Sequence, residues 1–287
     1  NMRTEFAWMA ALKAFHSSLH WDLEGDKNFD LGIIIPPKKG TTPIDFHHFR
    51  KYCKKIAIMQ EGPYWYFQDY PLDTQINYFN LLMGADMILV HNEQDKKYFK
   101  GLTNKTKVEI LPSLMLEEPI KETCPSKTRS GVMIGGNFKS WYGGFDSYQV
   151  ATSVTGDIYS PTMGRRSEGE EQLLTQLPYM EWNKWITELS KRKIGVHMMR
   201  TYAAGTFALN CAYLGIPCIG YNNLDTQRRL HPMLSVDEGD LITAKKRIHK
   251  LWNDKDFYEA CSETTKELYK KLYSKESFLK HFNENIR

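Results

Sequence analysis

The stretch "GTFALNCAYLGIPCIGYN", residues 205–222, decides the fold because it contains one complete helix-to-strand unit. Gly205 and Thr206 open a helical run, and Gly215-Ile216-Pro217 stops it. The nearly continuous apolar run that follows is typical of a strand buried on both faces of a parallel sheet. Free N–H groups at a helix start bind anions, and a glycine lets a phosphate approach the backbone. The stretch therefore predicts either a phosphate-binding helix start or a plain N-cap with small residues for packing.

The same alternation extends in both directions from this stretch. The sequence predicts nearly all-apolar strands separated by helical runs, first at 30–38, 55–63, 86–93 and 107–114, then at 131–136, 157–164, 193–199 and 216–221. Such a pattern is typical of parallel sheets with helices on both faces. The predicted fold class is therefore α/β, with two Rossmann-like lobes and a ligand-binding cleft between them.

The polar, proline-containing segment "EEPIKETCPSKTRS" interrupts the alternation and is the predicted linker, residues 117–130. We expect an N-terminal Rossmann-like lobe over 1–116 and a C-terminal lobe with terminal helices over 131–287. No strand pattern precedes the helical run at 3–19, so the first lobe either lacks an opening strand or is trimmed.

Composition limits the class of protein. The chain has 287 residues, 41% of them hydrophobic and 25% charged, with a net charge of +4, as in a soluble two-domain protein with a mild preference for anionic ligands. No apolar run is long enough for a membrane span, and the first residues do not resemble a signal peptide. Five cysteines without C-x-x-C spacing predict reduced thiols, a cytoplasmic location and no metal site.

Candidate site residues in the second half follow predicted strands. The glycine-rich run "GGNFKSWYGG" begins at Gly135 and contains Lys139, which could reach a phosphate; the alternative is a tight turn. Arg200 lies between a strand and the 205–222 stretch, where a guanidinium could make bidentate contacts with phosphate. Arg165, in "MGRRSEGEE", is either a second phosphate contact or part of a solvated loop.

In the first half, Glu61 ends a predicted strand in "IMQEGPYW". A carboxylate at a strand end suits acid–base chemistry or binding of sugar hydroxyls, and the alternative is a solvated loop glutamate. His91, Asn92 and Glu93 follow the next strand, and His91 is equally consistent with a structural role. No Ser-His-Asp or Cys-His arrangement is legible in the sequence.

The second half resembles the nucleotide-sugar-dependent glycosyltransferases of GT-B fold, especially their large retaining group. In that family a run of the form E-G-F-G…E-A-M-A-x-G-x-P-V-I is common, and "YAAGTFALNCAYLGIPCIGY" lies in the same register. "GVMIGGNFKSWYGG" is similar to the first strand and glycine loop of the family's donor lobe. The resemblance covers roughly 131–275, and over 1–116 it is only architectural. It implies that the lobe over 131–287 binds the nucleotide sugar and that the N-terminal lobe over 1–116 is the acceptor side.

The resemblance implies a sugar transferase of the hexosyltransferase type (EC 2.4) that needs no metal and no cofactor. Its substrates would be a nucleotide-diphosphate sugar, such as a UDP- or GDP-sugar, and a saccharide or other acceptor. The implied catalytic residues are Glu61, Lys139 and Arg200. The implied donor-binding residues are Gly135, Gly136, Asn137, Lys139, Arg165, His197, Arg200, Tyr202, Gly205, Thr206 and Asn210.

The sequence also departs from the family. The family's paired glutamates fall on Tyr202 and Asn210, and the arginine of its glycine loop falls on or near Asn137. Asn210 could hold the donor ribose by a hydrogen bond, but Tyr202 cannot replace a carboxylate. Two alternatives therefore stay open: a phage-type transferase acting on DNA bases, and an inactive protein that binds sugar nucleotides. The oligomeric state is left open too.

Overall fold

The computed structural model describes residues 4–15, 28–36, 46–103, 105–121, 126, 128–162 and 168–287. Inter-residue contacts divide the chain into two compact units. The N-terminal unit consists of Ala11–Pro112, Tyr202–Ala204 and Phe278–Arg287. The C-terminal unit consists of Asn1–Ala10, Ser113–Thr201 and Gly205–Ser277.

The N-terminal unit is built on a four-stranded parallel sheet with strand order β1-β2-β3-β4. Its strands are β1 (Phe29–Ile34), β2 (Cys53–Met59), β3 (Met87–Val90) and β4 (Lys107–Ile110). The helices in this part of the chain are α1 (Thr4–Leu12), α2 (Phe46–Arg50), α3 (Leu72–Gly84) and α4 (Glu93–Leu102). Apolar side chains of β2, β3 and β4 pack against α3 and α4 to form its core.

The C-terminal unit is built on a six-stranded parallel sheet with strand order β10-β9-β8-β5-β6-β7. Its strands are β5 (Ser130–Ile134), β6 (Ile158–Ser160), β7 (Thr175–Gln176), β8 (Arg192–His197), β9 (Cys218–Tyr221) and β10 (Ser235–Val236). The helices are α5 (Gly144–Ala151), α6 (Trp182–Ser190), α7 (Thr206–Leu214), α8 (Asp225–Leu230), α9 (Leu241–Asn253), α10 (Lys255–Tyr273) and α11 (Lys275–Asn285), whose last turns belong to the N-terminal unit.

Helices cover both faces of the six-stranded sheet. Since successive side chains of a strand point to opposite faces, Val132 and Ile134 of β5 join a core cluster with α5 and α9. Met133, between them, joins a second cluster with α6, α7 and α10. The predicted α/β class with parallel sheets is therefore confirmed.

Several elements differ from the sequence predictions. β7 and β10 are two residues long and α8 is six, too short to leave a periodic hydrophobic pattern, and none was predicted. The helix predicted from residue 147 begins at Gly144, because the two glycines before it conceal its first turn. The segment 117–130 contains a 3₁₀ turn at Glu118–Ile120, and Ile120 is buried in the core of the C-terminal unit.

The 205–222 stretch folds as α7 followed by β9, as predicted. Gly215 ends α7 in the left-handed region, with φ +64°, and its N–H bonds to the carbonyl of Ala212 at 3.0 Å. Arg129 donates to the carbonyl oxygens of Leu214 and Gly215 at 2.6 and 2.8 Å. The carboxyl end of α7 is thus satisfied by both backbone and side chain.

Candidate functional site

The order in which successive strands are added to the six-stranded parallel sheet reverses between β5 and β8. From β5 it proceeds to β6 and β7 on one side, and β8, β9 and β10 then extend the sheet on the other side. In open α/β sheets, ligands bind at such a switch point, beyond the carboxyl ends of the strands. The segments that follow β5 and β8, residues 135–143 and 198–201, flank this switch point. We call this edge of the C-terminal unit the candidate donor site.

Gly135 and Gly136, which follow β5, are buried, and each is needed for packing. A Cβ on Gly135 would lie 2.7 Å from Cγ of His197, and one on Gly136 would lie 2.6 Å from the carbonyl oxygen of Tyr142. Both distances are too short for real atoms, so the glycine-rich segment is fixed against the rest of the sheet edge.

Asn137 and Lys139 continue this segment. Asn137 is 1% exposed, and its side-chain oxygen accepts a 3.2 Å hydrogen bond from the Lys139 N–H. In the described part of the chain, nothing bonds to its side-chain nitrogen. A buried amide nitrogen without a partner is costly, and a ligand acceptor would satisfy it. The side chain of Lys139 is exposed.

His197 ends β8, next to β5. It is buried, and among the described residues neither ring nitrogen has a hydrogen-bond partner. Its ring packs edge-on against Phe207 of α7, with centroids 5.4 Å apart. Burial lowers the pKa of His197 to about 4, so the imidazole is neutral at pH 7. A neutral imidazole offers one donor and one acceptor.

Helix α7 begins at this edge without a side-chain cap, since its N-cap residue is Gly205. Thr206, the first helical residue, is exposed. Thr226 donates a 2.9 Å hydrogen bond to the carbonyl oxygen of Gly205, which has φ +67°, and a Cβ on this glycine would overlap the Thr226 hydroxyl. The left-handed backbone and the contact with Thr226 therefore both require a glycine at position 205, whether or not a ligand binds. The uncapped first turn can still bind an anion.

Arg200 is not a solitary cation. Its Nη2 and Nε donate to the same oxygen of Asp146, Oδ2, at 2.7 and 3.2 Å, and the hydroxyl of Tyr221 donates to this oxygen at 3.0 Å. The Asp146 carboxylate accordingly raises the pKa of Arg200. Asp146 and Tyr221 were not among the site residues predicted from the sequence. The signal available for Asp146 was a carboxylate two residues after Gly143-Gly144, in the first turn of a helix.

The two residues at the positions of the family's glutamates have different surroundings. Asn210, in the middle of α7, is 5% exposed. With its amide oriented to suit its neighbours, it donates to the carbonyl of Thr206 at 3.0 Å and accepts from Nε1 of Trp185 at 3.1 Å. Tyr202 belongs to the N-terminal unit, where its ring lies 6.3 Å from that of Tyr64.

In the N-terminal unit, Glu61 follows β2 and is half-buried. Gln60, before it, is fully buried, and its side-chain nitrogen donates to the Glu61 carbonyl at 3.0 Å. Asn92 has a structural role, because its side chain caps α4 by accepting from the Asp95 N–H at 2.8 Å. Arg165 lies outside the described residues.

In the part of the chain that the structure describes, no three His, Cys, Asp or Glu side chains are placed to hold a metal ion together. Among the described helices, none combines the length and the hydropathy of a bilayer span. The four cysteines that lie within the described ranges, Cys53, Cys211, Cys218 and Cys261, are free, buried thiols.

Two parallel-sheet units, one of them carrying a glycine-rich segment and an uncapped helix start at its switch point, define the class of architecture: the chain has the GT-B fold. Solved structures of similar architecture agree. OtsA, in its apo form, aligns with a TM-score of 0.69 and 10% identity, over 99% of this chain and 77% of its own. The pneumococcal O-GlcNAc transferase GtfA, with UDP and GlcNAc, aligns with a TM-score of 0.67 and 11% identity, over 97% of this chain and 58% of its own.

A variant of S. aureus TarM, in complex with Fondaparinux, alpha-GlcNAc-glycerol and UDP, aligns with a TM-score of 0.63 and 10% identity, over 82% of this chain and 51% of its own. The chain thus spans about half the length of TarM. No protein-family model and no curated protein sequence matches the chain. At these identities the likeness concerns the fold, and the fold expected from the sequence is confirmed.

Proposed function

We propose that this protein is a glycosyltransferase of the hexosyltransferase type, which transfers a sugar from a nucleotide-diphosphate sugar to an acceptor. One observation carries the proposal: the switch point of the six-stranded sheet brings together the glycine-rich segment, the buried His197 and the uncapped start of α7. The structures of GtfA and TarM, which share the fold, contain UDP.

In this proposal the donor diphosphate binds at the candidate donor site. As the bond between the sugar and the diphosphate breaks, negative charge develops on the leaving phosphate oxygen. The free N–H groups of the first turn of α7, Arg200 and Lys139 stabilise that charge and lower the barrier. The orphaned nitrogen of Asn137 and the neutral ring of His197 supply further hydrogen bonds to the donor. No metal and no cofactor takes part in this proposal.

The acceptor is assigned to the N-terminal unit, where Glu61 would contact the sugar or the acceptor. A saccharide acceptor is the first choice, since the structures of TarM and GtfA contain alpha-GlcNAc-glycerol and GlcNAc beside UDP. A DNA base is the alternative. We also propose a cytoplasmic location, because free thiols are typical of proteins in reducing compartments.

A second function, binding of sugar nucleotides without catalysis, is favoured by one observation. The positions of the family's two glutamates hold no carboxylate, and the amide of Asn210 is already engaged by Thr206 and Trp185. A protein of this kind would bind a nucleoside diphosphate but would not turn over its sugar donor.

Hydrolysis and transfer assays with UDP-, GDP- and ADP-glucose test the proposed function. Arg200→Ala is expected to lower donor turnover about 100-fold, the usual effect of removing one charge-stabilising donor. Arg228→Ala is the matched control, because Arg228 is also paired with an aspartate and its side chain is 52% exposed, against 48% for Arg200. Unchanged turnover in Arg200→Ala would remove Arg200 from the site.

A further inference from the structure

The Asp146–Arg200 pair joins two parts of the chain that meet beside the switch point. Asp146 lies in the first turn of α5, after the glycine-rich segment, whereas Arg200 follows β8. The two residues are 54 positions apart in sequence, and the Asp146 side chain is only 10% exposed. The pair therefore joins α5, which directly follows the segment 135–143, to the segment 198–201 on the other side of the switch point.

A single carboxylate oxygen is the centre of this arrangement. Oδ2 of Asp146 accepts from Nη2 and Nε of Arg200 and from the hydroxyl of Tyr221 in β9. Charge-assisted hydrogen bonds of this kind are roughly twice as strong as neutral ones, and two from one guanidinium fix the direction of its plane. Burial and Asp146 raise the pKa of Tyr221 to about 12, so its hydroxyl remains a donor.

The backbone of Arg200 is fixed as well. Its N–H donates to the carbonyl of Trp141 at 3.2 Å, and its carbonyl accepts from the side-chain nitrogen of Asn223 at 3.0 Å. The same nitrogen of Asn223 donates to Glu238 at 2.7 Å. Three segments, those after β5, β8 and β9, thus converge on one arginine.

The net charge of the Asp146–Arg200 pair distinguishes two roles for Asp146, attraction of an anion and orientation of the guanidinium. A bare arginine at an anion site contributes a full positive charge, but Asp146 largely neutralises that charge at a distance of 2.7 Å. Charge attraction for an anion therefore does not by itself account for the carboxylate. What the carboxylate does supply is a fixed orientation of the guanidinium, which matters most where charge develops during the reaction.

We propose that Asp146 is a positioning residue, which, with Tyr221, holds Arg200 in the orientation required for the leaving diphosphate. The inference rests on the proposed function, in which Arg200 contacts that group. The orientation of the Arg200 guanidinium and the affinity for the nucleotide are then separate effects of Asp146. Asp146 lowers the barrier of the sugar-transfer step while it slightly weakens the binding of the nucleotide.

The test is Asp146→Asn, measured for UDP affinity, donor hydrolysis with UDP-, GDP- and ADP-glucose, and urea unfolding. We expect kcat to fall about 10- to 100-fold, because the guanidinium loses its fixed orientation. We expect the Kd for UDP to stay the same or become tighter, because one negative charge has been removed from an anion site. Asp146→Glu, which keeps the carboxylate, should recover part of kcat, and Tyr221→Phe should lower kcat about 2- to 10-fold.

Asp225→Asn is the matched control. Asp225 pairs with Arg228 at 2.9 Å, and its side chain is 11% exposed, but this pair lies within α8 and connects no separate segments. A kcat of Asp146→Asn equal to that of Asp225→Asn would overturn the inference. A Kd that weakens in parallel with a loss of stability would also overturn it, since that result indicates a structural role alone.

A measurement without substrate distinguishes this inference from the proposed function. The Nε–H of Arg200 should exchange slowly in NMR spectra of the wild type and of Asp225→Asn, and rapidly in Asp146→Asn. Fast exchange in the wild type would overturn the positioning role. Protected exchange in a wild type that neither binds nucleoside diphosphates nor hydrolyses their sugars would overturn the proposed function, and the catalytic meaning of the pair with it.

Discussion

Thr226 holds Gly205 at the start of α7 by a hydrogen bond of 2.9 Å between its hydroxyl and the glycine carbonyl. The contact is so close that no side chain fits at residue 205. The glycine that the sequence marks as a phosphate contact is therefore required by the architecture of the helix start. A ligand that binds here, as proposed, would meet a backbone that packing has already shaped.

Gly205→Ala should lower the free energy of unfolding by more than about 1 kcal/mol, because alanine is strained at φ +67° and its Cβ would overlap the Thr226 hydroxyl. Urea unfolding measures the change. Gly156→Ala is the control, since a Cβ there meets nothing within 4 Å and the backbone is not left-handed. Adding Thr226→Ala to Gly205→Ala should recover only the part of the loss due to overlap. Equal stability of the two single glycine variants would contradict this explanation.

The stability of the protein should fall as the pH decreases from about 6.5 to 4. Burial lowers the pKa values of His197 and His231 to about 4, whereas histidines of the unfolded chain titrate near 6.5. In this window the unfolded state binds more protons than the folded state, so protonation favours unfolding. Each histidine accounts for up to about 3 kcal/mol at pH 4.

Urea unfolding at several pH values tests the histidine prediction. His231→Gln should flatten the profile between pH 6.5 and 4, although it removes hydrogen bonds to the Ala208 carbonyl and to Thr265. His249→Gln is the control, because His249 is exposed on α9. A profile of the wild type that is flat over this window would show that the buried rings titrate normally.

Asn210→Ala should destabilise the protein by about 1–3 kcal/mol, because Nε1 of Trp185 and the carbonyl of Thr206 lose their partner. The predicted contact of Asn210 with the donor ribose leads to a second expectation. If that contact exists, the variant should also bind UDP more weakly than the wild type. Calorimetric titrations with UDP, which contains ribose, and with uracil, which does not, separate the ribose contact from the loss of stability. A loss of stability with unchanged UDP affinity would assign Asn210 to the structure of α7 alone.

Arg129→Ala should lower the free energy of unfolding by about 1–3 kcal/mol, since two carbonyl oxygens at the carboxyl end of α7 would lose charged donors. Thermal and urea unfolding measure the effect, with Lys255→Ala as a control on an exposed lysine. A ribose- or phosphate-binding function should not change, because Arg129 bonds at the opposite end of α7 from Thr206. Equal stability of both variants would contradict the capping role.

The sequence was sufficient for the parallel α/β fold and for the helix–strand unit at 205–222, because apolar strand runs and glycine–proline stops are local signals. It was insufficient for the environment of each candidate residue. Arg200 and Asp146 are 54 positions apart, so no rule based on local sequence spacing predicts that they pair. The hydrogen bond between Asn210 and Trp185 likewise joins two separate helices, α7 and α6. The environment of His197 depends on the pairing of β8 with β5.

Isothermal titration of the wild-type protein with UDP, GDP and ADP tests the central claim most directly. We predict that at least one of them binds with a Kd in the micromolar to millimolar range, and that Arg200→Ala weakens this binding more than Arg228→Ala does. If none of the three nucleotides binds, both the transferase and the non-catalytic sugar-nucleotide-binding protein are contradicted.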